Sequence, residues 1–266
     1  MAAELSVTGD APQSGLQPVA DDIWLIDGLA RRIRGMPYPA RCTVIRLASG
    51  ALWVHAPVPL TDDLRAALNA LGPVQHLVAP SPLQTAHVAE WQTAFPEAQT
   101  HAAPGAAERA EKAGTPFAAQ HELGAIPPGA WAGEIEQLMV EGSRVHREAV
   151  FFHRASHTLI VADLLHNLET AKLPAWMRPF IWIAGTDDSD GKMPLGLRLS
   201  FQKGPLAESV ERMIAWAPRR LVLVHGRWYR RDAAGELRRA FRRILRDREW
   251  TAVMNRIEED RQRQGD

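Results

Sequence analysis

Two short apolar runs decide the fold of this chain: Thr43-Val44-Ile45-Arg46-Leu47 and Ala51-Leu52-Trp53-Val54-His55. Each has the length and the β-branched content of a strand, and the Ser49-Gly50 pair between them is typical of a hairpin turn. An earlier apolar run, Ile23-Trp24-Leu25-Ile26, ends at the turn pair Asp27-Gly28. The sequence therefore opens with strands joined by tight turns.

A helix is predicted after this hairpin. Thr61 is suited to cap it, the two acidic residues that follow favour its first turn, and Leu64 and Leu68 lie on one face. Gly72-Pro73 ends it. The other predicted strands cover residues 76–79, 135–140, 148–153, 158–163 and 221–224. The other predicted helices cover residues 86–95 and 173–184, a stretch through Val210 and Met213, and the chain from residue 233 onward. Residues 80–85 and 185–194 are predicted loops, and residues 102–133 a partly helical surface excursion.

The order of these elements indicates the fold class. Strands come early and again late, and helices follow each set. This order favours two sheets packed face to face with helices outside, an α/β (α+β) fold of the four-layer αββα sandwich type. We expect a flexible N-terminal tail at residues 1–20, a single αββα domain at 21–250, and the end of a C-terminal helix with a tail at 251–266.

Composition excludes several classes of protein. The chain has 266 residues, 46% of them hydrophobic, which is too apolar for a disordered protein. Its single cysteine, Cys42, rules out internal disulfides and CxxC sites. It has no membrane-spanning apolar run and no secretory signal at its start, so a cytoplasmic protein without a membrane partner is expected.

Charge argues against a nucleic-acid partner, because 31 basic residues are balanced by 31 acidic ones. The last helix nevertheless carries arginines on one side. We interpret these as a solvated face, and docking of an acidic partner or RNA is the weaker alternative. They are Arg238, Arg239, Arg242, Arg243, Arg246 and Arg248.

The chemistry left after a motif search is histidine with carboxylate. The chain lacks a nucleophile elbow, a dinucleotide loop and a phosphate loop, and residues 187–191 form an acidic turn without the ligands of a calcium loop. Asp163 and His225 each follow an apolar strand, so each should be held at a strand end, where α/β proteins bind ligands. Imidazole and carboxylate suit Zn, Fe or Mn.

Three ordered blocks resemble a domain-of-unknown-function family. The first block joins Arg41-Cys42-Thr43-Val44-Ile45-Arg46-Leu47 to Gly50-Ala51-Leu52-Trp53-Val54-His55-Ala56-Pro57, and the second runs from Val150-Phe151-Phe152-His153 to Asp163-Leu164. The third is Leu223-Val224-His225-Gly226. That family is similar to the metallo-β-lactamase fold. The resemblance implies that Asp163 stands at the position of the metal-bridging aspartate and His225 at that of the last histidine ligand.

The chain departs from this pattern where hydrolases of the fold carry H-x-H-x-D-H. The family keeps a reduced form near A-P-N-x-x-H-H, whereas this segment reads Ala79-Pro80-Ser81-Pro82-Leu83-Gln84-Thr85-Ala86-His87. Gln84 and Thr85 replace the histidines, and Ser81 replaces the asparagine, so a binuclear zinc site cannot be built. His87 and His146 remain candidates to complete a single-metal site. The candidate cleft-lining residues are His55, Ser81, Gln84, Thr85 and His153.

Two functions stay open at this point. One is a hydrolase of esters, lactones, thioesters or phosphoesters with one divalent metal (Zn, Fe or Mn) held by Asp163, His225 and either His87 or His146. The other is a metal-free pseudoenzyme that binds a small-molecule ligand or a protein partner in the residual cleft. The oligomeric state does not follow from the sequence.

Overall fold

A computed structural model describes residues 15–33, 36–169, 176, 178–179 and 191–265. Its described strands form two sheets. The first sheet contains, in spatial order, β1 Gln17–Ala20, β2 Ile23–Ile33, β3 Met36–Arg46, β4 Leu52–His55, β5 Val74–Ala79, β6 Gln99–Ala102 and β7 His121–Glu122. The second sheet contains, in spatial order from one edge to the other, β8 Ile135–Met139, β9 Ala149–His153, β10 Thr158–Val161 and β11 Arg220–Leu223.

The predicted hairpin is confirmed and forms the antiparallel half of the first sheet. Strand β3 pairs with β4 so that Thr43 faces His55 and Ile45 faces Trp53. The turn between them needs a left-handed residue, and Gly50 supplies it with a φ of 86°. From β4 to β7 the sheet is parallel. The carboxyl ends of β4, β5 and β6 therefore lie along one edge.

The described helices lie outside the sheets, as expected. They are α1 Asp62–Leu71, α2 Val88–Ala94, α3 Ala106–Lys112, α4 Leu195–Arg198, α5 Lys203–Ala215 and α6 Ala233–Gly265. Helix α1 begins as predicted, because the Thr61 hydroxyl accepts a hydrogen bond from the backbone N–H of Leu64 at 3.2 Å. None of the described helices is both long enough and apolar enough to cross a lipid bilayer.

Three layers of apolar side chains hold the four-layer sandwich together. The layer between the sheets includes Ile45, Trp53 and Phe151, and the alternate residues face outward because side chains alternate along a strand. Val44, for example, packs under α1 and α2 on the outer face of the first sheet. Phe152 packs under α5 and α6 on the outer face of the second sheet. The αββα prediction is therefore confirmed.

Some predicted boundaries need correction. Residues 17–20 form β1, although we predicted them as tail, because they pair with β2 across a tight turn at Asp22. Residues 102–133 include α3 and the edge strand β7, so this excursion also extends the first sheet. Most of the predicted helix at 173–184, and the predicted loop before Gly191, lie outside the described residues. Helix α6 starts at Ala233 as predicted and continues to Gly265.

Candidate functional site

The second sheet brings Asp163 and His225 together at one end of the sandwich. Strands β10 and β11 are parallel neighbours, with Val161 opposite Leu223, so the residues that follow them emerge side by side. The His225 Nε2 atom lies 3.3 Å from an Asp163 carboxylate oxygen. The acid and the imidazole that the sequence placed at strand ends thus share one site.

His225 is oriented by its other ring nitrogen. Nδ1 lies 2.6 Å from the carbonyl oxygen of Pro39. A carbonyl can only accept a hydrogen bond, so Nδ1 carries the proton and donates it. Nε2 lies 2.9 Å from the amide nitrogen of Gln84, a group that can only donate. The imidazole is therefore arranged to accept a hydrogen bond or to bind a cation at Nε2.

A buried arginine fixes the loop that carries His225. Arg41 lies in β3 and pairs with Asp27 of β2 at 2.7 Å. Its Nη1 atom donates to the carbonyl oxygens of Leu223 at 3.0 Å and Gly226 at 2.6 Å. These bonds bracket His225, so the first sheet sets the position of a side chain that belongs to the second.

Asp163 is almost completely buried, at 2% exposure, and is hydrogen-bonded on both oxygens. The Ser81 hydroxyl donates to one oxygen, and the Gln84 amide nitrogen donates to the other at 2.6 Å. Burial raises the pKa of the carboxyl, but the imidazoles of His225 and His146 and the Ser81 hydroxyl outweigh it and hold this pKa well below its usual range. Asp163 is therefore a carboxylate.

Gln84 joins the two groups. Its amide nitrogen lies 2.6 Å from the Asp163 carboxylate and 2.9 Å from His225 Nε2. A carboxylate only accepts, so the NH₂ group and not the amide oxygen must face it. The second N–H then donates to Nε2, which agrees with the proton on Nδ1. The three side chains form one consistent hydrogen-bond network.

A second buried pair supports the backbone under Asp163. Glu148 is completely buried and accepts from the backbone N–H groups of Ala162 at 2.9 Å and Asp163 at 3.1 Å. His146 Nε2 lies 3.0 Å from the same carboxylate. Burial raises the pKa of Glu148. Burial lowers the pKa of His146, but the hydrogen bond and charge of Glu148 outweigh it, so the pKa of His146 is raised.

His166 completes the group that we call the Asp163 cluster. Its ring centroid lies 4.6 Å from that of His225, and burial places its pKa well below the usual value, so its imidazole is neutral. Two sets of donor atoms in this cluster lie within 4.8 Å of one another and could hold a metal: Asp163 with His166 and His225, and Asp163 with His146 and Glu148. The cluster comprises Ser81, Gln84, His146, Glu148, Asp163, His166 and His225.

The sequence reasoning omitted two members of the cluster from its site. Glu148 begins the predicted strand 148–153, and His166 follows the predicted strand 158–163. A usable signal was present for Glu148, because an acidic residue directly precedes a strand in which every residue is buried. A charge in that position needs a dedicated partner.

Two of the predicted residues lie close to the site without joining its hydrogen bonds. Thr85 is buried just before α2, at the end of the loop that carries Gln84. His55 is completely buried between the sheets, stacked on Trp53 with ring centroids 5.7 Å apart. Burial lowers the pKa of His55 to about 3. His55 is therefore a neutral core residue at the floor of this region.

The structure does not bring His87 or His153 to the cluster. His87 lies at the start of α2, pairs with Glu90 at 3.1 Å, one helical turn away, and belongs to neither of the two donor sets. His153 bonds to Ser156 at 2.8 Å and lies opposite Thr158, the first residue of β10. Because β9 runs antiparallel to β10, its last residue lies at the far end of the sheet.

The donor set does not fit a binuclear metal centre. The loop after β5 offers a hydroxyl and an amide, Ser81 and Gln84, where such a centre needs imidazoles, and hydroxyl and amide groups are poor zinc ligands. Moreover, the lone pairs of Asp163 and His225 that would face a metal already accept hydrogen bonds from the Gln84 amide.

Comparison with known proteins gives the fold. No curated protein matches the chain by sequence. Its structure is similar to the DIM-1 metallo-β-lactamase (TM-score 0.60, 13% identity, 86% of this chain and 96% of that one). It is also similar to a metallo-β-lactamase from Pontibacter korlensis (0.59, 12%, 84% and 95%) and to FIM-1 from Pseudomonas aeruginosa in its mono-zinc form (0.59, 11%, 90% and 96%).

The family is defined by sequence. A family model described as a domain of unknown function, DUF4336, matches residues 20–179, which is more than half of the chain. This range includes the hairpin of β3 and β4, the Gln84 loop and Asp163. The chain therefore belongs to the DUF4336 family, and it has the metallo-β-lactamase fold.

Proposed function

We propose that this protein is a metal-independent binding protein built on the metallo-β-lactamase fold, and that it binds a small molecule or a partner at the half-buried edge of the Asp163 cluster, where Gln84 lies. One observation carries the proposal: the Gln84 amide nitrogen donates to both Asp163 and His225. A neutral hydrogen-bond donor thus contacts both the carboxylate and the imidazole, as a metal cation bound by these two groups would.

The distances support this reading. Zinc binds carboxylate oxygen and imidazole nitrogen at about 2.0–2.2 Å, along the lone pairs of those atoms. The Gln84 amide nitrogen lies 2.6 Å from the Asp163 carboxylate oxygen and 2.9 Å from His225 Nε2. A metal bound to both would have to displace it and break both hydrogen bonds. An amide NH₂ group has no lone pair to offer a cation, so Gln84 cannot become a ligand through that atom.

Gln84 also supplies a contact for a ligand. Its side chain is half-buried, unlike the buried residues that it joins. Its amide oxygen makes no hydrogen bond with any residue that the structure describes. With the nitrogen fixed by Asp163 and His225, this oxygen is an oriented acceptor at the edge of the cluster. A ligand with an N–H or O–H donor would complement it.

The test is metal content before and after the amide is replaced. Purified protein is incubated with Zn²⁺, Fe²⁺ or Mn²⁺, dialysed, and assayed by elemental analysis, and hydrolysis of p-nitrophenyl acetate is followed with and without EDTA. We expect well below one metal ion per chain and no EDTA-sensitive hydrolysis for the wild type. Gln84→His should gain zinc, because it offers an imidazole beside Asp163 and His225.

Gln92→His is the matched control. Gln92 is also a half-buried glutamine, but it bonds to Thr100 and Ala118 away from the cluster. If this variant gained as much zinc as Gln84→His, the zinc would be bound by any added histidine and not specifically by one beside Asp163 and His225. One tightly bound metal per wild-type chain would overturn the proposal.

A second candidate function is a single-metal hydrolase of esters, lactones, thioesters or phosphoesters. It is favoured by the buried set Asp163, His166 and His225, whose donor atoms lie within 4.8 Å of one another. A metal held there would supply Lewis-acid activation of water or of a substrate oxygen. This function predicts one metal per wild-type chain, loss of that metal in Asp163→Asn, and EDTA-sensitive hydrolysis in the assay above.

A further inference from the structure

A second concave site lies away from the strand ends, where α4, α5 and α6 meet. It is a cavity of about 550 Å³, which is within the range of small-molecule sites. Its floor is apolar and belongs to the hydrophobic core under the helices. The floor residues are Met193, Phe201, Leu206 and Phe241, each less than a tenth exposed.

The walls of this cavity are cationic. Six of its lining residues carry a positive charge, and no acidic residue lines it among those that the structure describes. The six are Lys192, Arg198, Lys203, Arg239, Arg242 and Arg243. Since the whole chain has no net charge, this concentration of one sign is local. It creates a positive potential over an apolar floor.

The cations differ in their partners. Lys203 pairs with Asp247 at 2.8 Å, and Arg239 pairs with Glu236. In contrast, the side chains of Lys192, Arg198 and Arg242 form no ion pair with any described residue. Three charges at the cavity thus lack a compensating carboxylate in the part of the chain that the structure describes.

Helix α6 shows that its arginines have separate roles. Arg248 bonds to Glu208 at 2.8 Å and to Glu211 at 3.1 Å, so it fastens α6 to α5. Arg239, Arg242 and Arg243 are spaced at three and four residues, which places them on one helix face, and all three line the cavity. All three are exposed, as expected for a solvated arginine face, and they also lie at the cavity.

An exposed apolar residue lies at the edge of the cavity, next to one of its cations. Leu199 lines the cavity yet is 78% exposed, and it neighbours the unpaired Arg198. Leu199 therefore presents apolar surface beside a cation at the edge of the cavity. A molecule with an apolar part and an anionic part would satisfy both.

We propose that this cavity binds a single-chain amphiphilic anion. The carboxylate or phosphate head would bond to Arg198 and Arg242, because guanidinium groups form paired hydrogen bonds with such heads. The hydrocarbon part would lie on the floor formed by Phe201, Leu206 and Phe241. The ligand has two sources, a free amphiphile or a lipid in a bilayer, and the experiment below distinguishes them.

The probe is decyl phosphate below its critical micelle concentration, titrated into the full chain by calorimetry. Inorganic phosphate and decanol serve as the head alone and the chain alone. We expect decyl phosphate to bind at least about tenfold more tightly than either part. The double variant Arg198→Gln/Arg242→Gln should lose at least about tenfold in affinity, since two charged contacts are removed.

The control variant is Arg238→Gln. Arg238 is exposed on the same helix but does not line the cavity, so its loss should leave binding unchanged. The proposal would be overturned if Arg238→Gln and the double variant lost the same affinity for decyl phosphate. It would also be overturned if inorganic phosphate and decyl phosphate bound equally tightly, because binding would then reflect general charge attraction. Binding only to phosphatidylglycerol vesicles and not to free decyl phosphate would overturn it as well.

This inference is independent of the proposed function. The measurement uses no metal and no hydrolysis. Gln84→His changes the Asp163 cluster and should bind decyl phosphate as the wild type does. Metal in the wild type would therefore contradict the proposed function and leave the cavity proposal intact. Failure of decyl phosphate to bind would contradict the cavity proposal and leave the proposed function intact.

Discussion

Two groups of buried histidines lie in this protein, and they have opposite surroundings. In the Asp163 cluster, Nδ1 of His225 bonds to a backbone carbonyl and Nε2 to an amide. The other group joins the buried His76 and His101, on β5 and β6, to the exposed His121 on β7 and to Trp131 before β8, and we call it the histidine–tryptophan cluster. There both ring nitrogens of His101 are buried without a hydrogen-bond partner among the described residues.

The difference is the carboxylate. No acidic side chain contributes to the pKa of His101, which burial and the neighbouring imidazoles lower to about 3. Its ring packs instead against Trp131, with centroids 4.6 Å apart, and against His121 at 4.8 Å. A buried histidine thus becomes part of a chemical site where a carboxylate accompanies it, and an aromatic packing residue where none does.

The largest effect that this comparison predicts is for Asp163→Ala. The substitution leaves the Ser81 hydroxyl and the Gln84 amide without their acceptor in a buried site. We expect the free energy of unfolding to fall by about 3–5 kcal/mol, as it does when one partner of a buried polar pair is removed. Urea denaturation followed by circular dichroism measures it.

Asp62→Ala is the control for this measurement, because Asp62 is an exposed acid in the first turn of α1 and its loss should cost at most about 1 kcal/mol. If Asp163→Ala were more stable than the wild type, the carboxylate would be a strained ligand kept for a cation. That result would favour the single-metal candidate over the metal-independent one.

The next largest effect is an acid-induced loss of stability from the unpartnered histidines. The pKa values of His55 and His101 are about 3 in the folded chain and about 6.5 when unfolded. Between these values the unfolded state binds more protons, so each residue's contribution is complete above pH 6.5 and is lost as the pH falls toward 3. At pH 5 each should cost about 2 kcal/mol.

Urea titrations at pH 7.5 and pH 5 measure this loss, and His101→Leu should reduce it by the roughly 2 kcal/mol that His101 contributes, since that residue no longer titrates. His146 offers the opposite case within the same protein: its pKa is raised beside Glu148, so it contributes stability at low pH that is lost as the pH rises through its folded value. An unchanged stability at pH 5 would contradict the assignment of His55 and His101 as neutral core residues.

The sequence predicted the parts of the site that depend on strand ends. Asp163 and His225 each follow an apolar strand, and they meet because those two strands are parallel neighbours. His153 also ends an apolar strand, but β9 is antiparallel to β10, and a residue pattern does not give strand direction. The same argument therefore succeeded for two residues and failed for the third.

The role of Gln84 could not be predicted from the sequence. Replacement of an imidazole by an amide indicated that a ligand was missing, but only coordinates show that the amide nitrogen lies on both remaining ligands. The cavity beside α6 was equally hidden, because helical spacing separates one arginine face from another and does not show which neighbour each face meets. Tertiary contacts supply that information.

The smallest predicted effect is a gain in stability from His101→Leu at pH 7.5. Leucine is close in size and removes two buried nitrogens that have no hydrogen-bond partner among the described residues. Replacing such a group by an apolar one is neutral or stabilising, so we expect an increase of up to about 1 kcal/mol in the free energy of unfolding. His121→Leu, at an exposed position on the next strand, is the matched control and should change it by less than about 0.5 kcal/mol. A loss above about 2 kcal/mol for His101→Leu would mean that this imidazole makes a stabilising polar interaction in the folded chain. The two histidine clusters would then differ less than their contacts indicate.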